Sequence, residues 1–175
     1  LMEQFTAIVV TAAGAKQAAA YQAELEHRQK SGFIPKDTFV LAVPDPSSAR
    51  VGSGGATFNA IVAACEHLSA RAGFASVSPD ILANSKIVII HSGGDSRRSP
   101  LQSLCGKAWS AVNSSLREDI MTPFDFLLLN LAAAFEDSPP GLIVCSSDVL
   151  LDFGKVKKAD WTRPGVTGLG IPMPI

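Results

Sequence analysis

Four short runs of apolar, largely β-branched residues constrain what this chain can fold into. They are FTAIVVT (5–11), TFVLAV (38–43), KIVII (86–90) and GLIVCS (141–146), and amphipathic or loop-like segments separate them. Each run is short and mostly apolar, the mark of a strand covered on both faces. Residues 15–30 read as a helix, with Ala18, Tyr21 and Leu25 on one face and Gln17, Glu24 and Arg28 elsewhere; Gly32 and Pro35 end it. A second helix is expected from Ala56, where Phe58, Ile61, Val62, Cys65 and Leu68 fall three and four apart, with Gly73 as its stop. Ser78-Pro79-Asp80 opens a short helical turn, with Ser78 as the cap. Thr122-Pro123-Phe124-Asp125 starts a further helix, whose core face is Phe124, Leu128, Leu131 and Phe135. Strands alternating with helices predict an α/β fold with a doubly wound, mostly parallel sheet.

Composition narrows the function classes. At 175 residues the chain suits one domain. Its 15 basic and 16 acidic residues give a net charge of -1, so it carries no footprint for nucleic acid or an anionic membrane. The longest apolar stretch, 124–135, contains Asp125 and Asn130 and falls short of the ~20 residues a membrane span needs. No secretory signal is visible at the N-terminus. Cys65, Cys105 and Cys145 form no CxxC pair, which fits buried thiols in a reducing compartment, and a cytoplasmic location is the expectation. From Gly154 to Ile175 seven of 22 residues are Gly or Pro. The expected organisation is a domain over 1–153 and a Gly/Pro-rich tail over 154–175 that begins a missing continuation, with 166–171 open as one more strand.

Two glycine-bearing loops follow strands. In the first, Arg50, Gly52, Gly54, Gly55 and Thr57 stand between a strand and a helix. Glycine permits close backbone approach, so successive N–H groups can converge on an anion at the helix start, with Arg50 and Thr57 adding charge and a hydroxyl. A ligand-free tight turn is the other reading. No lysine follows the glycines, so this is not a Walker loop. In the second, Ser92, Gly93 and Gly94 follow the strand 86–90, with Arg98 in the same loop and Lys107 beyond it. That set can grip and neutralise a nucleoside triphosphate, and phosphoryl-type transfer is mostly positioning plus charge stabilisation. A solvated loop with surface ion pairs reads the same residues. Asp148, at the end of the strand 141–146, stands where a parallel sheet gathers its strand ends, suited to Mg²⁺ on substrate phosphates or to a turn. His27 and His67 sit on helices as surface or packing positions, whereas His91 ends the strand before the glycine loop and could touch a ligand; no Ser-His-Asp or Cys-His arrangement is visible.

The segments RVGSGGATFNAI (50–61) and IIHSGGDSRRSP (89–100) resemble the GDP-fucose pyrophosphorylase / L-fucokinase family, and CEHLSARAGF (65–74) is similar to the N-terminal region of animal L-fucose kinases. The resemblance covers residues 5 to 153. It implies a domain like the sugar nucleotidyltransferases, of Rossmann-like type and incomplete at its C-terminus. Gly93 and Gly94 then match the glycine pair, Arg98 the loop arginine, Lys107 the lysine and Asp148 the aspartate that holds Mg²⁺. The implied partners are GTP or ATP together with L-fucose or fucose 1-phosphate. The implied protein is a fucose-salvage transferase. One form is the N-terminal part of an L-fucokinase whose ATP-dependent kinase region lies C-terminal to this chain, which by itself would be inactive. The alternatives are a stand-alone fucose-1-phosphate guanylyltransferase and a non-catalytic regulatory domain. Three departures from the pattern stand out: Ser96 replaces a glycine, the loop is one residue shorter before Pro100, and Gly106 replaces the proline before Lys107.

Overall fold

The computed structural model describes residues 5–46, 50–93, 102, 105–112, 120–149, 151, 161 and 165–168. Four apolar runs become four strands: β1 (Ala7–Ala12), β2 (Phe39–Pro44), β3 (Lys86–His91) and β4 (Gly141–Ser146). They form one sheet in the order β2-β1-β3-β4, and every pairing is parallel. Helix α1 (Ala15–Lys30) joins β1 to β2; α2 (Gly52–Arg71) and the short α3 (Pro79–Asn84) join β2 to β3; α4 (Pro123–Ala134) precedes β4. Residues 165–168 carry no strand, and the rest of the expected 166–171 strand lies outside the described residues.

Burial follows the strands' period of two. Ile8, Val10, Ala12, Val88, Ile90 and Ile143 face α1 and α4, whereas Ala7, Val9, Val43, Ile87 and Ile89 face α2. Parallel pairing gathers all four C-terminal strand ends on one edge, where the two glycine segments and Asp148 emerge.

The capping box at Thr122 and Asp125 starts α4: each residue's side chain accepts the other's backbone N–H. Asp125 also holds Arg28 of α1, Nε to Oδ1 at 2.6 Å and Nη2 to Oδ2 at 3.1 Å, with both residues buried. The Arg28 guanidinium lies 4.7 Å from the Trp109 ring centre, and Trp109 stacks on Phe124 at 4.6 Å. Removing either partner of a buried ion pair strands the other charge, at about 3–5 kcal/mol. This cluster fixes α4 beside α1. The β1–α1–β2 and β3–α4–β4 connections run in opposite directions across the sheet, yet both helices lie on one face. The two crossovers therefore differ in hand, and one of them has the rare left hand.

Helix α2 departs from expectation twice. It begins at Gly52, not near Ala56, so Gly52, Gly54 and Gly55 belong to its first turn. Its sheet-facing stripe is Ala56, Ala60, Ala64 and Leu68, while Phe58 and Val62 are 72% and 53% exposed. Alanine every fourth residue lets the helix lie close to the sheet, and the bulky side chains turn outward. Ser78 stands at the α3 N-cap without a side-chain capping bond; instead its N–H donates to Ser69 Oγ at 3.1 Å. Cys65 is buried, but Cys105 is exposed, against the expectation of core thiols.

Candidate functional site

A cleft of about 150 Å³ opens at the C-terminal edge of the sheet, lined by His91, Ser92, Gly93, Lys107, Ser146, Ser147 and Asp148. The lining comes from the ends of β3 and β4 and from the 3₁₀ turn Lys107–Trp109. Neighbouring parallel strands bring these ends together: His91 pairs with Ser146, and the Ser147 N–H donates to the His91 carbonyl at 3.0 Å.

Lys107 Nζ donates to Asp148 Oδ2 at 3.0 Å, and the Ser146 hydroxyl donates to Oδ1. The Ser146 hydrogen bond and then Lys107 hold the Asp148 carboxyl below the usual carboxylate range, against a smaller opposing effect of burial. Both members of the pair are partly solvated, with side chains 39% and 46% exposed, so the contact itself adds little stability. Its value is local: an ionised carboxylate beside a mobile-stemmed cation, facing a backbone turn. Among the described residues no group of three His, Cys, Asp or Glu side chains stands ready to hold a metal. A single ionised carboxylate of this kind still fits Mg²⁺, which takes one or two carboxylates and completes its shell with phosphates and water.

Tyr21 braces the cleft from behind. Its hydroxyl donates to the Ser92 carbonyl at 3.3 Å, and burial raises its pKa. The same oxygen lies 2.5 Å from where a Cβ on Gly106 would sit, and Gly106 has φ +82°. The glycine that replaces the proline before Lys107 is thus required by both the left-handed backbone and the tyrosine. Gly93 in turn packs against the end of β1, where a Cβ would meet Ala13 N at 3.4 Å and Ala12 C at 3.5 Å. Ser92 is 7% exposed, and its Oγ has no hydrogen-bond partner among the described residues.

The structure therefore brings together Ser92, Gly93, Lys107 and Asp148. Among the described residues, Arg50, Gly52, Gly54 and Gly55 are not in the cleft lining that contains Ser92 and Gly93. Arg50 is exposed, and Gly54 has nothing within 4 Å of a Cβ position. Gly55 is required locally, since its Cβ would come within 2.7 Å of Val51 Cβ. Thr57 reaches the cleft only through His91, whose Nε2 is 2.8 Å from Thr57 Oγ1. Gly94 and Arg98 lie outside the described residues.

Sequence reasoning missed Tyr21 as part of the site, named His91 only as a residue that could touch a ligand, and carried Ser146 only as a neighbour of Asp148. His91 had one signal, a polar residue closing an apolar strand just ahead of two glycines. Tyr21 had none, because a tyrosine on a core-facing helix stripe reads as packing.

The Fucose pyrophosphorylase domain family matches residues 79–175, which includes the Gly/Pro-rich stretch from 154 onward. The bifunctional fucokinase/GDP-fucose pyrophosphorylase of Arabidopsis thaliana is 33% identical over 170 residues, 86% of this chain and 16% of that protein. The fucose-1-phosphate guanylyltransferase of Mus musculus is 32% identical over 176 residues, covering 97% of this chain and 27% of its own. Its Homo sapiens counterpart is 30% identical over 171 residues, covering 94% and 26%. The chain thus spans 16% to 27% of the length of these relatives. No solved structure matches it. No helix among the described residues is long and apolar enough to cross a membrane.

Proposed function

The chain belongs to the fucose pyrophosphorylase domain family, and from that premise we propose that its cleft serves nucleotidyl transfer between GTP and fucose 1-phosphate. The observation that carries this reading is the Lys107–Asp148 pair at 3.0 Å, set against Ser92 and Gly93 at the C-terminal edge of a parallel sheet. Ligands of open parallel sheets bind at that edge, and a Gly93 backbone without a Cβ lets phosphate oxygens lie close to it.

In the proposed reaction a phosphate oxygen of fucose 1-phosphate attacks the α-phosphorus of GTP. The new P–O bond forms as the bond from the α-phosphorus to the bridging oxygen breaks, and pyrophosphate leaves with the electron pair. Lys107 neutralises charge gathering on the phosphates, and Arg98, assigned from the sequence pattern alone, is the second cation of the proposal. Asp148 would hold Mg²⁺, which supplies further neutralisation of the triphosphate. Ser146 keeps Asp148 oriented and ionised.

The test uses the full-length protein with GTP and fucose 1-phosphate, following pyrophosphate release and GDP-fucose. Asp148→Asn is expected to lower kcat/KM about a hundredfold. A wild-type protein that makes no GDP-fucose, or an Asp148→Asn variant at wild-type rate, overturns the proposal. Kinase activity of the longer protein is a second reading, favoured by the resemblance of residues 65–74 to L-fucose kinases and by the name of the bifunctional plant relative. Incubation with ATP and L-fucose in parallel decides it by the appearance of fucose 1-phosphate.

A further inference from the structure

Among the described residues, the first glycine segment is not in the cleft lining, yet one of its residues is joined to that lining. Thr57, five residues into α2, donates its hydroxyl to the Ser53 carbonyl at 2.9 Å. With its own proton committed, Thr57 Oγ1 accepts from His91 Nε2, 2.8 Å away. The other ring nitrogen, Nδ1, lies 3.3 Å from Thr11 Oγ1, and Thr11 Oγ1 accepts the Ser92 N–H at 3.4 Å. The Thr11 proton is then free to point at Nδ1. The five groups form one directed chain: Ser92 N–H to Thr11, Thr11 to His91, His91 to Thr57, Thr57 to the Ser53 carbonyl. With the Thr57 proton on the Ser53 carbonyl, the chain calls for a proton on Nε2.

The glycines make this chain possible. Gly52 has φ +71°, which launches α2 sharply out of the preceding loop, and Gly55 leaves room for Val51 to fold over the first turn. Together they set Thr57 at the height of the β3 end. His91 lines the cleft and is followed directly by Ser92 and Gly93, so whatever fixes its ring fixes the start of the glycine arm.

We propose that the α2 head acts on the cleft from outside it: Thr57 locks the His91 imidazole, and His91 sets the position of Ser92 and Gly93 for the nucleotide. His91 and Thr57 are positioning residues here, with both ring nitrogens occupied and neither available as an acid, a base or a metal ligand. The inference rests on the reading of the cleft as a nucleotide site, and it deepens that reading by giving the first glycine segment a role.

The experiment compares Thr57→Val, Thr57→Ser, His91→Ala and the Thr57→Val/His91→Ala pair in the full-length protein, with thermal melts to verify folding. Thr57→Val is expected to raise KM and Kd for GTP about fivefold while kcat stays within about twofold, the signature of lost ground-state positioning. Thr57→Ser restores wild-type values. Thr57→Val adds nothing in the His91→Ala background, because both act through one link. A loss confined to kcat, multiplying effects in the double variant, or no rescue by serine overturns the inference. ¹⁵N spectra of the histidine rings supply a readout that needs no nucleotide. His91 is expected as the neutral Nε2–H form, and its Nε2 signal is expected to move in Thr57→Val. An unmoved signal overturns the link even if GTP does not bind, whereas absent GTP binding by a wild type that shows this signal removes only the assignment of the cleft.

Discussion

The two glycine segments look alike in sequence, each a strand followed by paired glycines, and the structure treats them oppositely. After β2 the glycines are absorbed into the first turn of α2, where Gly55 makes room for Val51 and Gly54 meets nothing. At the end of β3, Gly93 packs on the end of β1 and becomes part of a cleft wall. A glycine pair after a strand thus marks close backbone approach, but not to what. At one segment the approaching group is a neighbouring side chain. At the other it is the neighbouring strand, and the space left open beside it is the cleft.

The largest effect expected from this contrast is on turnover. Lys107→Ala in the full-length protein should lower kcat for GDP-fucose formation about a hundredfold, whereas Arg50→Ala should cost less than about fivefold. Steady-state kinetics on the two variants check it, and equal losses would erase the distinction between the segments.

Stability should separate them next. Gly106→Ala places a Cβ 2.5 Å from the Tyr21 hydroxyl at φ +82°, and should cost about 3 kcal/mol in denaturant unfolding. Gly54→Ala meets nothing within 4 Å and removes a helix-weakening glycine, so it should gain about 0.5–1 kcal/mol. A stabilised Gly106→Ala variant would contradict the bracing role of Tyr21.

The smallest expected effect is on pH dependence. Burial lowers the His91 pKa, opposed by the charge of Asp45. The unfolded chain then binds a proton more readily than the folded one, so His91 contributes stability that is full above about pH 6.5 and falls as pH drops toward its folded value. Between pH 7.5 and 5.5 the wild type should lose on the order of 1 kcal/mol or less that His91→Gln keeps. Thermal melts of the two proteins at the two pH values measure it. At the other end of the reactivity scale, burial pushes the Cys145 thiol up to about 12, so that thiol takes no part in nucleophilic chemistry at neutral pH.

Much of the fold was legible because it is local. The strand runs, the Pro123–Ala134 helix with its Thr122 cap and the parallel alternation all come from periodicity and capping chemistry within a few residues. The face of α2 was not legible: a stripe of alanines buried against a sheet looks weaker than a stripe of Phe58, Ile61 and Val62, and only the closeness of helix to sheet makes the small residues the right ones. Lys107 and Asp148 were named as site residues from pattern and resemblance, but their pairing across 41 positions was not readable there.

What the amino-acid order determined by itself is the set of elements, their parallel arrangement and the residue types that reach the sheet's C-terminal edge. What only the tertiary structure decided is who meets whom on that edge. The placement of α4 beside α1 depends on Arg28 finding Asp125 across 97 positions, and the role of Gly106 depends on a tyrosine in another helix. Periodicity reports how one segment divides its faces between core and solvent. Contacts between distant segments exist only after the chain has closed, when packing and buried charge select one neighbour from many that the local pattern permits.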